Sequence, residues 1–271
     1  MTTQATVNPQ PAAGKVILER EGALAKVVLS HPGRLNAITV GMWQQLRETF
    51  TAIAADPQIR CVTVRGADGQ FAAGADIREF PQVRADEAAV MRYHRDILAP
   101  ALAAVAACPQ PVIAVIEGVC VGGGMEIAAQ CDLRIAASGA RFGVPINRLG
   151  FPMAPDEMRG LLALVGRANT LAILLEGRVF DAQEALRMGL LTRVVEAARL
   201  DEEAQSSVQA ILRGAPLAAR ANKQIAARLT ASAAALSEAE YQHFFSYADS
   251  RDHKEGVRAF LAGEKPIFHG E

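Results

Sequence analysis

Short apolar runs and helical stripes alternate along most of the chain. Val16 to Ser30 (VILEREGALAKVVLS) reads as two strands around Glu21-Gly22. His31-Pro-Gly-Arg is a turn, and Asn36 to Ala55 carries Met42, Leu46, Phe50 and Ile53 at helical spacing until Asp56-Pro57 ends it. Cys61 to Arg65 is a β-branched strand, followed by the glycine- and alanine-rich GADGQFAAGA. Asp76 to Arg84 and Asp86 to Ala107 read as helical, with Pro81 as an interruption. Pro111 to Glu117 and Leu133 to Ala137 are buried strands on either side of a glycine loop and a short helix. Phe142 to Pro155 is irregular. Helices are then expected over Met158 to Leu175, Asp181 to Met188, most of Leu200 to Leu229, and Ala234 to Leu261, with a short strand at Val194-Val195. Strands thus alternate with helices to about residue 195 and helices dominate afterwards, an α/β pattern with a helical C-terminal region.

Composition narrows the class. A chain of 271 residues with 51% hydrophobic content can fill one sizeable core. A formal net charge of -1 implies no basic face, so nucleic acid is not an expected partner. Cys61, Cys108, Cys120 and Cys131 form no CxxC pair, and the five histidines are scattered, so no metal site is expected. The cysteines read as reduced thiols of a cytoplasmic protein. MTTQATVNPQPAAG (1–14) reads as a loose tail rather than a signal peptide. No uninterrupted apolar run reaches the ~18 residues of a membrane span, so no membrane partner is expected.

Two segments carry candidate chemistry. In FAAGADIREF (71–80) a strand enters, small residues turn the chain, and Asp76 is placed to cap a helix. In IEGVCVGGGMEIA (116–128) a strand again leads through glycines into a helix. Each junction can leave backbone N–H groups free, and two such groups aimed at one point make an oxyanion hole. A Walker A loop would need Lys-Ser/Thr where Met125-Glu126 stand, and the dinucleotide fingerprint fails at Ile127. Read alone, the glycines fit tight helix–strand packing as well as a ligand, and Glu126 fits an acid favoured in a helix's first turn.

FAAGADIREF together with EGVCVGGGMEIAAQCDLRIAASGARFGVP resembles the enoyl-CoA hydratase/isomerase (crotonase) family. The resemblance begins near Val16, includes RLNAIT (34–39), continues through LVGRANTLAILLEGRVFDAQEALRMGLLTRVVE and reaches RDHKEGVRAFL (251–261). It implies a crotonase-like spiral of ββα turns over 15–198 and a C-terminal helical region, 199–271, for assembly as a trimer or a dimer of trimers. The implied substrate is an acyl-CoA thioester. No cofactor is implied, coenzyme A being part of that substrate. The resemblance puts oxyanion-hole N–H groups on Ala75 and Gly123 and a catalytic carboxylate on Glu126. It puts substrate contacts on Arg34, Leu35, Ala37, Ala73, Asp76, Ile77, Arg78 and Ile146, and aromatic contacts at a subunit boundary on Phe244 and Phe260.

One position departs from the family pattern. Relatives that hydrate efficiently carry a second glutamate after the proline of FGVPINRLG, and here Ile146 follows Pro145. Isoleucine cannot carry a proton, and an unreplaced acid–base group costs ~10²–10⁴-fold in rate. Asp156 and Glu157 are candidate substitutes, or else simple helix-start acids after Pro155. Tyr93 is a candidate proton carrier or a packing residue, and Arg148 a candidate carboxylate binder or a subunit contact. Three functions follow: hydration of 2-enoyl-CoA thioesters; another enolate reaction on acyl-CoA, such as isomerisation, decarboxylation, retro-aldol cleavage or hydrolysis; or acyl-CoA binding without catalysis.

Overall fold

The computed structural model describes residues 13–232 and 234–271; the tail expected over 1–14 lies, up to residue 12, outside the described residues. Strands β1 (Lys15–Glu21) and β2 (Leu24–Ser30) form the predicted hairpin. Helix α1 (Val40–Ala55) starts later than predicted, because Thr39 accepts from Met42 N as its N-cap. Asp56 closes it, as expected. β3 (Cys61–Gly66) follows.

Pro81 opens a helix rather than interrupting one. It lies in the first turn of α2 (Phe80–Val83), behind a 3₁₀ turn at Ile77–Glu79 that Asp76 caps. α3 (Glu87–Arg92) runs into a π-helical turn, Tyr93–Leu98, and then α4 (Ala99–Ala106). β4 (Val112–Ile116), β5 (Val119–Val121), α5 (Gly123–Gln130) and β6 (Leu133–Ala137) come next. The stretch expected to be irregular contains β7 (Arg141–Gly143) and a 3₁₀ turn at Pro145–Leu149. α6 (Pro155–Glu176), β8 (Phe180–Asp181), α7 (Ala182–Arg187) and β9 (Arg193–Val195) complete the spiral. α8 (Leu200–Arg213), α9 (Pro216–Ala231), α10 (Glu238–Phe245) and α11 (Arg251–Ala262) form the C-terminal region.

Six strands make one sheet in the order β1-β2-β3-β4-β6-β9, parallel except for the first hairpin. A smaller sheet pairs β5, β7 and β8. Side chains alternate across the large sheet with period two. Val112, Ala114 and Ile116 face the main core with α1, α4 and α5, while Ile113 and Val115 face a second cluster with Leu200, Ala204 and Val208 of α8. Both faces of β4 are therefore covered, which is why its sequence is an unbroken apolar run. Arg60 reinforces this packing by donating to Leu212 O at 2.9 Å and Gly214 O at 2.7 Å. Lys223 Nζ pairs with Asp132 at 2.7 Å.

All four cysteines are free and buried, and burial pushes the Cys61 thiol up to about 12. α6 is long and apolar enough to cross a membrane by length and composition, although no uninterrupted apolar run of that length occurs. Its 22 residues include Arg167 and a kink at Gly166, and Leu161, Val165 and Ile173 are buried in the core. Ile113→Ala removes a fully buried side chain from between sheet and α8. The expected loss, read by urea unfolding, is about 2–5 kcal/mol.

Candidate active site

Backbone pairing brings the two loops together. Ala72 bridges Cys120: Ala72 N–H donates to Val119 O at 2.9 Å, and Val121 N–H donates to Ala72 O at 3.1 Å. Farther along, Ala75 bridges Ile38, through Ile38 N–H to Gly74 O at 2.7 Å and Asp76 N–H to Ile38 O at 2.8 Å. Because the bonds on either side of Ala75 face Ile38, the N–H of Ala75 points the other way. It donates to nothing among the described residues.

Gly123 is the first residue of α5, where an N–H has no intrahelical acceptor, and it too is unpaired among the described residues. A Cβ placed on Gly123 would lie 3.5 Å from Ala75 N and 2.9 Å from the Trp43 ring. One placed on Gly124 would lie 2.4 Å from Ala72 O. The glycines therefore permit close packing and leave free donors at the same time. Gly122 adds the backbone reversal, with φ 48° and ψ -122°.

Ala75 and Gly123 line a cavity of about 100 Å³, with Phe80, Arg84, Ile146, Phe151 and both Glu126 and Glu157 on its wall. Glu126 lies in the first turn of α5, Glu157 in the first turn of α6, and both are buried. Burial first, and then the charge of Glu157, push the Glu126 carboxyl well above its ordinary range, with Arg84 opposing. The Glu157 carboxylate is hydrogen-bonded to His94 Nδ1. Asp156 diverges: it is exposed, pairs with Arg159 at 3.2 Å, and borders a different surface depression. A one-residue step along a helix turns a side chain by about 100°, so only one of these adjacent acids reaches the cavity.

Of the expected substrate contacts, Ala73, Ile77 and Ile146 line the cavity. Leu35 and Ala37 do not line it; Leu35 O accepts from Ala73 N–H at 2.9 Å, and Ala37 precedes Ile38, which bridges Ala75. Arg34 is exposed on the same loop, where Leu35 and Asn36 adopt left-handed φ of 48° and 56°. Asn36 stabilises that conformation by donating to Ala67 O and Gln70 O and accepting from His31 N–H.

Asp76 and Arg78 do not line this cavity. They pair with each other and open onto a separate depression with His31 and Thr39. Phe244 and Phe260 are likewise not brought to the cavity within one chain: Phe244 is half-buried on α10, and Phe260 is 85% exposed on α11. Arg148 is exposed and does not reach the cavity either. Tyr93 is buried behind the wall, edge-on to Phe80 at 6.4 Å, which favours its packing role. Arg84, His94 and Phe151 were not recognisable as site residues in the sequence. The π turn that presents His94 leaves no periodic mark, and Arg84 reads as one more loop arginine.

Comparison with known proteins bears on what binds here. Residues 19–271 match the enoyl-CoA hydratase/isomerase family. A Mycobacterium tuberculosis protein named a probable enoyl-CoA hydratase is 33% identical over 93% of this chain and 97% of its own length. A crotonyl-CoA hydratase of Syntrophomonas wolfei is 32% identical over 93% and 97%. The crystal structure of an enoyl-CoA hydratase/carnithine racemase from Magnetospirillum magneticum superposes with a TM-score of 0.93 at 44% identity, covering 96% of this chain and 97% of that one.

The Glu126 environment sets a pH dependence of stability. Its folded pKa lies above the unfolded value near 4.5, so the native state holds the proton more tightly and loses relative stability as pH rises through that window. Glu126→Gln removes this loss. Its melting temperature is expected to gain on the unaltered protein progressively from about pH 5 to about pH 8; a difference that stays flat across scanning calorimetry at those pH values would contradict the assignment.

Proposed function

The chain belongs to the enoyl-CoA hydratase/isomerase family, and we propose that it hydrates 2-enoyl-CoA thioesters with Glu126 and Glu157 as its two acid–base groups. The observation that carries this reading is the meeting of two buried carboxyl groups and two unpaired N–H groups on one cavity. The thioester oxygen accepts from Ala75 and Gly123 N–H. Those donors stabilise the negative charge that gathers on oxygen as the enolate forms. Glu157, tied to His94, takes a proton from water as the water oxygen bonds to the β-carbon. Glu126, kept protonated by burial and by its neighbour, delivers its proton to the α-carbon. A proton returning from Glu157 to Glu126 restores the starting state, so the pair titrates as a unit. Ile146 contributes apolar wall where relatives carry the second glutamate, and Glu157 supplies the missing carboxylate from the next helix.

The reading needs no cofactor, because coenzyme A is part of the substrate and every proton moves among water, substrate and the two carboxyls. CoA itself would lie along Arg34 to Ala37 and Ala73, where small side chains leave the backbone approachable. The buried, unpaired thiols support a reducing, cytoplasmic setting.

With crotonyl-CoA and loss of the enoyl-thioester absorbance as readout, Glu126→Gln and Glu157→Gln are each expected to lower kcat by about 10²–10⁴-fold. Asp156→Asn leaves it unchanged. Full activity in Glu157→Gln would remove Glu157 from the mechanism. No turnover of crotonyl-CoA by the unaltered protein would count against hydration of that substrate.

Assembly follows from the C-terminal helices. Phe245, Val257, Phe260 and Leu261 are all exposed there, a large apolar surface for a monomer. We assign it to contact between copies of this chain, as a trimer or a dimer of trimers. Light scattering after size exclusion is expected to give a trimer or hexamer mass, and Phe260→Asp to shift it towards monomer.

A further inference from the structure

Arg84 stands out among the groups of the cavity wall. Its guanidinium carbon lies 4.0 Å from the ring centroid of Phe80, 4.3 Å from Tyr93 and 4.8 Å from Phe151. Aromatic faces attract a guanidinium through its flat surface and leave the N–H edge free. That edge is in salt-bridge contact with no acid, although it lies near enough to Glu126 to oppose the rise of that carboxyl. Among the described residues Arg84 makes no ion pair, its guanidinium has only the Tyr93 hydroxyl within hydrogen-bonding reach, and its Nε is fully buried without an acceptor. Glu157 is engaged by His94, and Glu126 makes no hydrogen bond to the guanidinium. The residue is half-buried: only Nε is cut off from water, and a buried donor without an acceptor is costly, while the rest of the guanidinium stays open to a ligand that offers an anion. The same guanidinium borders the cavity that holds Ala75, Gly123 and Glu126, so whatever enters the cavity is what it meets.

We propose that Arg84 selects acyl-CoA thioesters whose acyl chain ends in a second carboxylate, binding it edge-on through the free N–H fork while the three rings hold the guanidinium plane. This rests on the reading of the cavity as the acyl-thioester site, and it narrows the substrate class to monothioesters of dicarboxylic acids. A carboxylate matches the fork with two parallel hydrogen bonds. An apolar acyl chain of the same length leaves the donors unmet.

Calorimetric binding of two saturated thioesters with equal carbon number, glutaryl-CoA and pentanoyl-CoA, tests this without requiring turnover. The unaltered protein is expected to bind glutaryl-CoA about 10–100-fold more tightly. Arg84→Met should abolish or invert that ratio. Arg84→Lys, which keeps the charge and loses the fork, should retain part of it. Circular dichroism and the melting temperature check that the variants fold, and the Lys variant carries the test if the Met variant does not. Equal affinities in the unaltered protein, or a ratio unmoved by both substitutions, would overturn the proposal while leaving the acyl-CoA reading intact. Binding of neither thioester would overturn both.

Discussion

A parallel bridge between Ala72 and Cys120 holds two loops edge to edge, and the geometry of the cavity depends on it. The bridge fixes where the first loop ends relative to the start of α5, and it can form only if nothing larger than a hydrogen stands on Gly124. A Cβ there would meet Ala72 O at 2.4 Å. Ala75 is oriented in the same way from its other side, by bonds to Ile38 that turn its N–H away from the core. The same close approach that completes the core also leaves two donors without acceptors, which is the condition for binding an anionic oxygen.

Around those donors the wall is apolar, and the low local polarity makes each charge matter. Two carboxyls that share a buried site resist carrying charge together. His94 engages Glu157 in a hydrogen bond, while burial and the Glu157 charge raise the affinity of Glu126 for its proton. Arg84 is held between aromatic faces with no carboxylate of its own. The cavity therefore keeps two carboxyl groups and a guanidinium outside any salt bridge within one wall, each supplied by a different element: α5, α6 and the end of α2. The helix starts add to this, since their unpaired N–H groups favour the acids in their first turns.

Much of the element order was legible, because strands with two covered faces and helices with one covered stripe leave plain periodic signatures. β4 and α1 are examples. β5 and β7 were not, being three-residue strands inside glycine- and proline-rich sequence whose pairing is entirely non-local. The chemistry divided in a similar way. Gly123 and Glu126 belong to one contiguous motif and were identifiable at once, and Ala75 follows from the companion motif. Asp76 and Arg78 belong to that motif too, yet they turn to each other instead of the cavity. A short salt bridge of this kind depends on the local backbone, which motif matching does not reveal.

Ile146 posed the sharpest question, since it stands where the family places a second carboxylate. The sequence offered Asp156 and Glu157 without a means of choosing. The choice depends on the angular position of each residue around α6 and on how that helix docks against α5, both properties of packed helices rather than of neighbouring letters. Sequence alone determined the family, the spiral of strands and helices, and the loop that carries Gly123 and Glu126, because these rest on local patterns and contiguous motifs. Only the tertiary structure decided which acid faces Glu126, that His94 holds it, and that Arg84 enters the same cavity, because those residues come from separate elements that meet only when the core closes.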